Sequence, residues 1–123
     1  MFIVAMDFDN TIFEGSTHEE TGVLRKDVVA KIREVIDHPD CEIALWTCRS
    51  GEKLEKAKRM LDDLNLKFDS YNESTPSIQK EIDDGTWEEG RKIFAHLYVD
   101  DRSPNSIDVF LKMKVDETAK NFV

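Results

Sequence analysis

Cysteine is scarce in this chain of 123 residues, where Cys41 and Cys48 are the two present. Two thiols exclude a disulfide scaffold, and their spacing is not that of a zinc site. Both are expected as reduced thiols in or near the core. Long hydrophobic runs are also missing: none approaches the ~20 apolar residues that a membrane span needs. The opening MFIVAMDFDN is apolar only briefly before Asp7 and has neither a basic leader nor a small-residue cleavage site, so it does not read as a signal peptide. A soluble, cytoplasmic protein with no membrane partner is the expectation. Positive charge is in deficit, with 17 Lys and Arg against 26 Asp and Glu and a net charge of −9. Broad electrostatic binding to nucleic acid or an anionic membrane needs the opposite balance. Local recognition of a phosphate remains open.

What is present is enough apolar sequence for one core, and the length fits a single domain over 1–123. No internal repeat or low-complexity segment interrupts it. Residues 2–8, FIVAMDF, read as a strand buried on both faces. A polar stretch with Gly15, Ser16 and Gly22 reads as loop. From Asp27, a plausible N-cap, the residues Val28, Val29, Ile32, Val35 and Ile36 recur at helical spacing until Pro39 and Asp40. CEIALWT (41–47) is a second strand, a charged amphipathic helix spans 51–64, and LKFDSY suggests a third strand. Residues 72–90 read as irregular with one short helix. IFAHLYV (93–99) is a fourth apolar run, with His96 inside it. The tail from Pro104 has room for a short helix and a small fifth strand. This alternation predicts an α/β fold: a three-layer, doubly wound, mostly parallel sheet.

In such a sheet ligands gather at the carboxyl ends of the strands. Three of the four apolar runs end in chemically useful residues: Asp7-Phe8-Asp9-Asn10-Thr11, Thr47-Cys48-Arg49, and Asp100-Asp101. Strand alternation would send Asp7 and Asp9 to one side. Two acidic pairs on one sheet edge are costly unless a cation neutralises them, and Mg²⁺ suits all-oxygen ligands that leave places for water and phosphate. Phosphoryl transfer needs the same inventory. One carboxylate attacks phosphorus, a second handles protons, and a hydroxyl and a cation hold the phosphoryl oxygens.

DFDNT (7–11), Thr47 in IALWTCRSG, and Asp100-Asp101 in LYVDDR occur in that order over nearly the whole chain. In this the chain resembles the haloacid dehalogenase-like (HAD) phosphohydrolases of the small, capless type. The resemblance implies a Rossmann-like HAD core and a Mg²⁺-dependent phosphatase. Asp7 would be the nucleophile that forms an aspartyl-phosphate. Asp9 would be the general acid and base, with its backbone carbonyl on the metal. Thr47 would bind the transferring phosphoryl group, helped by backbone N–H groups around Phe8, Asn10 and Cys48. Asp100 would hold Mg²⁺, with Asp101 a second ligand. The family's lysine falls on Lys92, or at a longer spacing on Lys80, and Lys92 is also open to reading as an ordinary surface lysine. The segment from Ile12 to Leu24 is too short for a substantial cap. The implied substrate is a phosphorylated small molecule, a nucleotide or a macromolecular phosphoester, with nucleic acid not favoured by charge and an oligomer able to close an open site.

Other features carry blander expectations. Cys48 is followed by Arg49 but lacks the Cys-x5-Arg loop of cysteine phosphatases. Trp46 reads as packing rather than a substrate platform, Trp87 as either of the two, and Arg49 and Arg102 as solvent-facing. The three histidines have no ligand spacing. A phosphate-accepting or phosphate-binding regulatory module, receiver-like or a catalytically idle HAD-fold protein, is the alternative function. Receiver domains place their phosphorylated Asp after the third strand, where LKFDSY has none suitable, and Thr47 precedes both candidate lysines.

Overall fold

The structure is a computed structural model that describes residues 1–17 and 20–123. Its centre is a four-stranded sheet of β1 (Phe2–Met6), β4 (Cys41–Leu45), β5 (Ser70–Tyr71) and β6 (Leu97–Val99). The order across the sheet is β5-β4-β1-β6, and all three pairings are parallel. A separate antiparallel hairpin joins β2 (Phe13–Glu14) to β3 (Val23–Leu24). The helices are α1 (Lys26–Asp37), α2 (Gly51–Asp63), α3 (Pro76–Asp83), α4 (Pro104–Lys112) and α5 (Val115–Ala119), followed by a 3-10 turn at Lys120–Phe122. The architecture is thus α/β, a parallel sheet flanked by helices. Among the described residues no helix is long and apolar enough to cross a membrane.

Period-two alternation divides the central strands between two apolar clusters. Phe2, Val4 and Met6 of β1, with Cys41, Ile43 and Leu45 of β4, pack against Val28 and Ile32 of α1, Leu61 of α2 and Phe110 of α4. Ile3, Ala5 and Ala44 point the other way, toward Ile78 of α3 and the irregular stretch carrying Ile93 and Ala95. Both β1 and β4 are buried along their whole length, which is why they read as unbroken apolar runs. Glu42 is the charged exception on the second face. It accepts the Ser77 amide and hydroxyl in the first turn of α3, where a helix N-terminus favours negative charge.

Several local expectations are corrected. The stretch after Asp9 is not all loop, because β2 and β3 pair within it. Helix α1 begins at Lys26 with Arg25 before it, so Asp27 sits in the first turn and accepts the Val28 amide rather than capping the helix. The third strand shrinks to Ser70–Tyr71 and the fourth to Leu97–Val99. His96 lies just before β6, and its Nδ1 accepts the Ile3 amide. A short β-strand is a weak sequence signal when most of its residues are spent on turns. The tail forms two helices and, among the described residues, no fifth parallel strand. Cys41 is buried, but Cys48 is exposed rather than in the core.

The hairpin depends on Gly22. A Cβ there would lie 2.1 Å from the Glu14 carbonyl oxygen and 2.6 Å from the Ser16 nitrogen, both backbone atoms that cannot swing aside. Gly22→Ala is therefore expected to open the hairpin and cost roughly 1–3 kcal/mol of stability, read by thermal denaturation. A melting temperature equal to that of the parent would show that the hairpin yields without penalty.

Candidate functional site

Because the strands are parallel, the segments leaving β1, β4 and β6 emerge at one edge of the sheet. They surround a cavity of about 450 Å³ lined by Asp7, Asp9 and Asn10 after β1, Trp46, Thr47 and Cys48 after β4, and Asp100, Asp101 and Arg102 after β6, with Ser16 and Thr17 of the hairpin loop on its rim. Asp7 is fixed by its own backbone, whose N–H donates to the Val99 carbonyl of β6 at 2.9 Å. The Asp100 amide donates to the Ser106 hydroxyl of α4, and the Arg102 amide donates to the Asp100 carboxylate at 2.9 Å.

Carboxylate oxygens of Asp7, Asp100 and Asp101 all lie within 4.8 Å of one another. Burial pushes the Asp7 carboxyl up to about 7; the Phe8 amide offsets this in part, and the neighbouring Asp100 and Asp101 add to the rise. Asp101 is raised as well, first by burial and then by its contact with Asp100. A compact all-oxygen donor set with excess negative charge fits a small hard cation such as Mg²⁺.

Asp9 lines the same cavity, although β1 has ended at Met6 and strand alternation no longer governs its direction. The chain instead turns tightly: the Thr11 and Ile12 amides both donate to the Phe8 carbonyl, and Asn10 takes a left-handed φ of 62° while its side chain accepts the Gly15 amide. Asparagine tolerates that conformation better than most residues. The turn aims the Asp9 carboxylate at Arg49, which donates from Nε to Oδ2 at 2.9 Å and from Nη2 to Oδ1 at 2.7 Å. Ser16 adds a hydroxyl bond to Oδ1 at 2.7 Å.

The expected phosphate donors are unequally placed. The Phe8 amide is directed at the Asp7 carboxyl, and the Asn10 amide donates to the Phe13 carbonyl at 2.9 Å. Thr47 lines the cavity, and its hydroxyl accepts the Arg49 amide at 3.2 Å. Cys48 is exposed on the lining beside it. Lys92 is exposed, with its Nζ 4.2 Å from the Tyr98 ring centroid, and it lines a smaller adjoining cavity together with Asp7, Asp100 and Trp46. Lys80 is exposed on α3 and lines neither cavity.

One expectation changes here. Arg49 is not solvent-facing: it is 2% exposed, pinned by Asp9 and stacked 4.7 Å from the centre of the Phe8 ring. Trp46 packs against the second apolar cluster as expected, and it also lines both cavities at the sheet edge. Asn72 is a further positioning residue that periodicity does not single out. Its side chain accepts the Thr47 amide and donates to the Arg49 carbonyl, holding the Thr47–Arg49 turn to the end of β5. A polar residue just after a short strand carries little sequence signal for such a role.

No family model and no curated protein matches this chain. Among solved structures, the chain is similar to a conserved protein coded by a locus of Bacteroides thetaiotaomicron. The two are 24% identical, superpose with a TM-score of 0.72, and share 94% of this chain and 90% of the other. That likeness shows a common fold.

The Asp7 environment has a consequence for stability. With its pKa raised from 3.8 to about 7, the folded protein retains a proton at Asp7 that the unfolded chain releases, so rising pH costs stability between those values. Asp7→Asn removes that cost. Without divalent cations, the variant is expected to gain in melting temperature over the parent from about pH 4 to about pH 7, then hold a constant advantage. Mg²⁺ should raise the parent's melting temperature more at about pH 8 than at about pH 5. A pH-independent offset between the two proteins would show that Asp7 carries no such penalty.

Proposed function

We propose that this chain is a Mg²⁺-dependent phosphohydrolase of the HAD type, acting on a phosphomonoester through an aspartyl-phosphate at Asp7. The observation that carries this reading is the meeting of Asp7, Asp100 and Asp101 within 4.8 Å beside Asp9 and Thr47 at one cavity. The same reading takes the sheet and its helices as a three-layer, doubly wound HAD core without a substantial cap.

Asp7, Asp100 and Asp101 would hold the cation, which would supply charge to offset that of nucleophile and substrate. An Asp7 oxygen attacks phosphorus, and the bond from phosphorus to the leaving oxygen breaks. Asp9 enters this step protonated, with one oxygen freed from the Arg49 fork; it gives that proton to the leaving oxygen, then takes one from the water that attacks the aspartyl-phosphate. Phosphate departs and Asp7 is restored. On this reading the Thr47 hydroxyl and the Cys48 amide would hold non-bridging oxygens, and Lys92, which lines the adjoining cavity with Asp7, would supply the ammonium. The open rim suits a phosphorylated small molecule, a nucleotide or the phosphorylated end of a larger molecule.

With Mg²⁺ and an aryl phosphate, Asp7→Asn is expected to lower turnover by at least ~10³-fold and to abolish a hydroxylamine-sensitive phosphoenzyme. Lys92→Ala should lower kcat, whereas Lys80→Ala should not. Undiminished turnover in pure Asp7→Asn protein would remove Asp7 as nucleophile. Phosphoenzyme that forms but does not turn over would instead favour the phosphate-accepting regulatory module.

A further inference from the structure

Arg49 is among the most enclosed charged side chains among the described residues, and its bonds reach three separate segments. Nε and Nη2 grip the two oxygens of Asp9, at 2.9 and 2.7 Å. Nη2 also donates to the Thr17 carbonyl of the hairpin loop at 2.7 Å, and Nη1 reaches the Lys53 carbonyl in α2 at 3.3 Å. Below the guanidinium lies the buried Phe8 ring. Ser16, one residue before Thr17, bonds the same Asp9 carboxylate. The hairpin loop is thereby fastened twice to the Asp9–Arg49 pair, once through each partner.

A buried ion pair by itself says little about stability, because the cost of desolvating both charges offsets much of their attraction. A planar fork does fix direction, however. Two parallel bonds define the plane and aim of a carboxylate in a way that a single bond or a lysine ammonium cannot.

We infer that Arg49 is a positioning residue that sets the aim of Asp9 and ties it to the hairpin loop, so that the acid–base group and the rim of the cavity move as one unit. The catalytic half of this inference rests on the phosphohydrolase reading; the mechanical half does not. On that reading, a mis-aimed Asp9 fails most where the leaving oxygen needs a proton. An alkyl phosphate then suffers more than an aryl phosphate, whose leaving group departs unaided.

The test uses Arg49→Lys, which keeps the charge and loses the fork, together with Ser16→Ala, Asp9→Asn and the double variant of positions 9 and 49. Amide hydrogen exchange is followed at Ser16 and Thr17, with β1 as the internal reference. Exchange is expected to quicken roughly tenfold or more in both Arg49→Lys and Asp9→Asn, and less in Ser16→Ala, with β1 unchanged. Unaltered exchange at the hairpin overturns the coupling, whether or not the protein hydrolyses anything. In turnover with Mg²⁺, Arg49→Lys is expected to lose roughly ten- to a hundredfold in kcat on an alkyl phosphate and clearly less on an aryl phosphate. The double variant should be little worse than Asp9→Asn alone. Equal losses on both esters, or fully multiplicative losses in the double variant, overturn the positioning role while leaving the phosphohydrolase reading intact. A parent protein that turns over neither ester overturns that reading and the catalytic half of this inference with it.

Discussion

Carboxylates from Asp7, Asp100 and Asp101, held within 4.8 Å of one another at the edge of a parallel sheet, repel unless protons or a cation intervene. Much of the surrounding structure bears on that repulsion. The strands that bring the three together are covered on both faces by apolar side chains, so the edge cannot spread to relieve it. The backbone holds its ground as well: Asp7 is bonded through its amide to β6, and the turn after β6 is bonded into the start of α4. Burial raises the Asp7 carboxyl to about 7. Proton retention at Asp7 offsets part of that repulsion.

Asp9 lives under a different rule two residues away. It faces a guanidinium and a hydroxyl, whereas Asp7 faces other carboxylates. The contrast comes from the turn at Phe8–Ile12, where the left-handed Asn10 redirects the chain. Had β1 continued three residues further, as far as Asp9, alternation would have turned the two carboxylates to one face of the sheet. The acid–base assignment within the proposed reaction depends on this departure from strand geometry.

How much of this was legible in the sequence depends on how local the signal is. Strands β1 and β4 declare themselves because both are buried on two faces and run apolar without interruption. The acids and the threonine that end those runs, with Asp100-Asp101 after β6, mark the sheet edge for the same reason. The hairpin was not legible, since each of its strands has two residues and its surroundings are polar. Nor was the role of Arg49. Its partner lies 40 positions earlier, and nothing in a Thr-Cys-Arg-Ser string distinguishes a buried fork from a solvated side chain. Asn72 is equally silent in the sequence, because holding the Thr47–Arg49 turn is a tertiary task done by a residue that looks like any loop asparagine. Chemistry-bearing residues were readable where topology alone brings them together. The residues that orient them were not, because their partners are chosen by packing.

This division also bears on how the described residues complete the cavity. Apart from the strand ends, the lining is completed by Ser16 and Thr17, carried on a hairpin whose own two-residue strands supply little stability. Such a hairpin needs an anchor. The Arg49 fork supplies one from within the site, drawing on the carboxylate of Asp9 rather than on apolar surface. Anchoring through an ion pair shields the guanidinium and orders the rim in one step, but it also makes the rim's position depend on the charge and direction of Asp9. Here the brace and the candidate acid–base group share the same atoms, so the shape of the rim and the chemistry of the site cannot be altered independently.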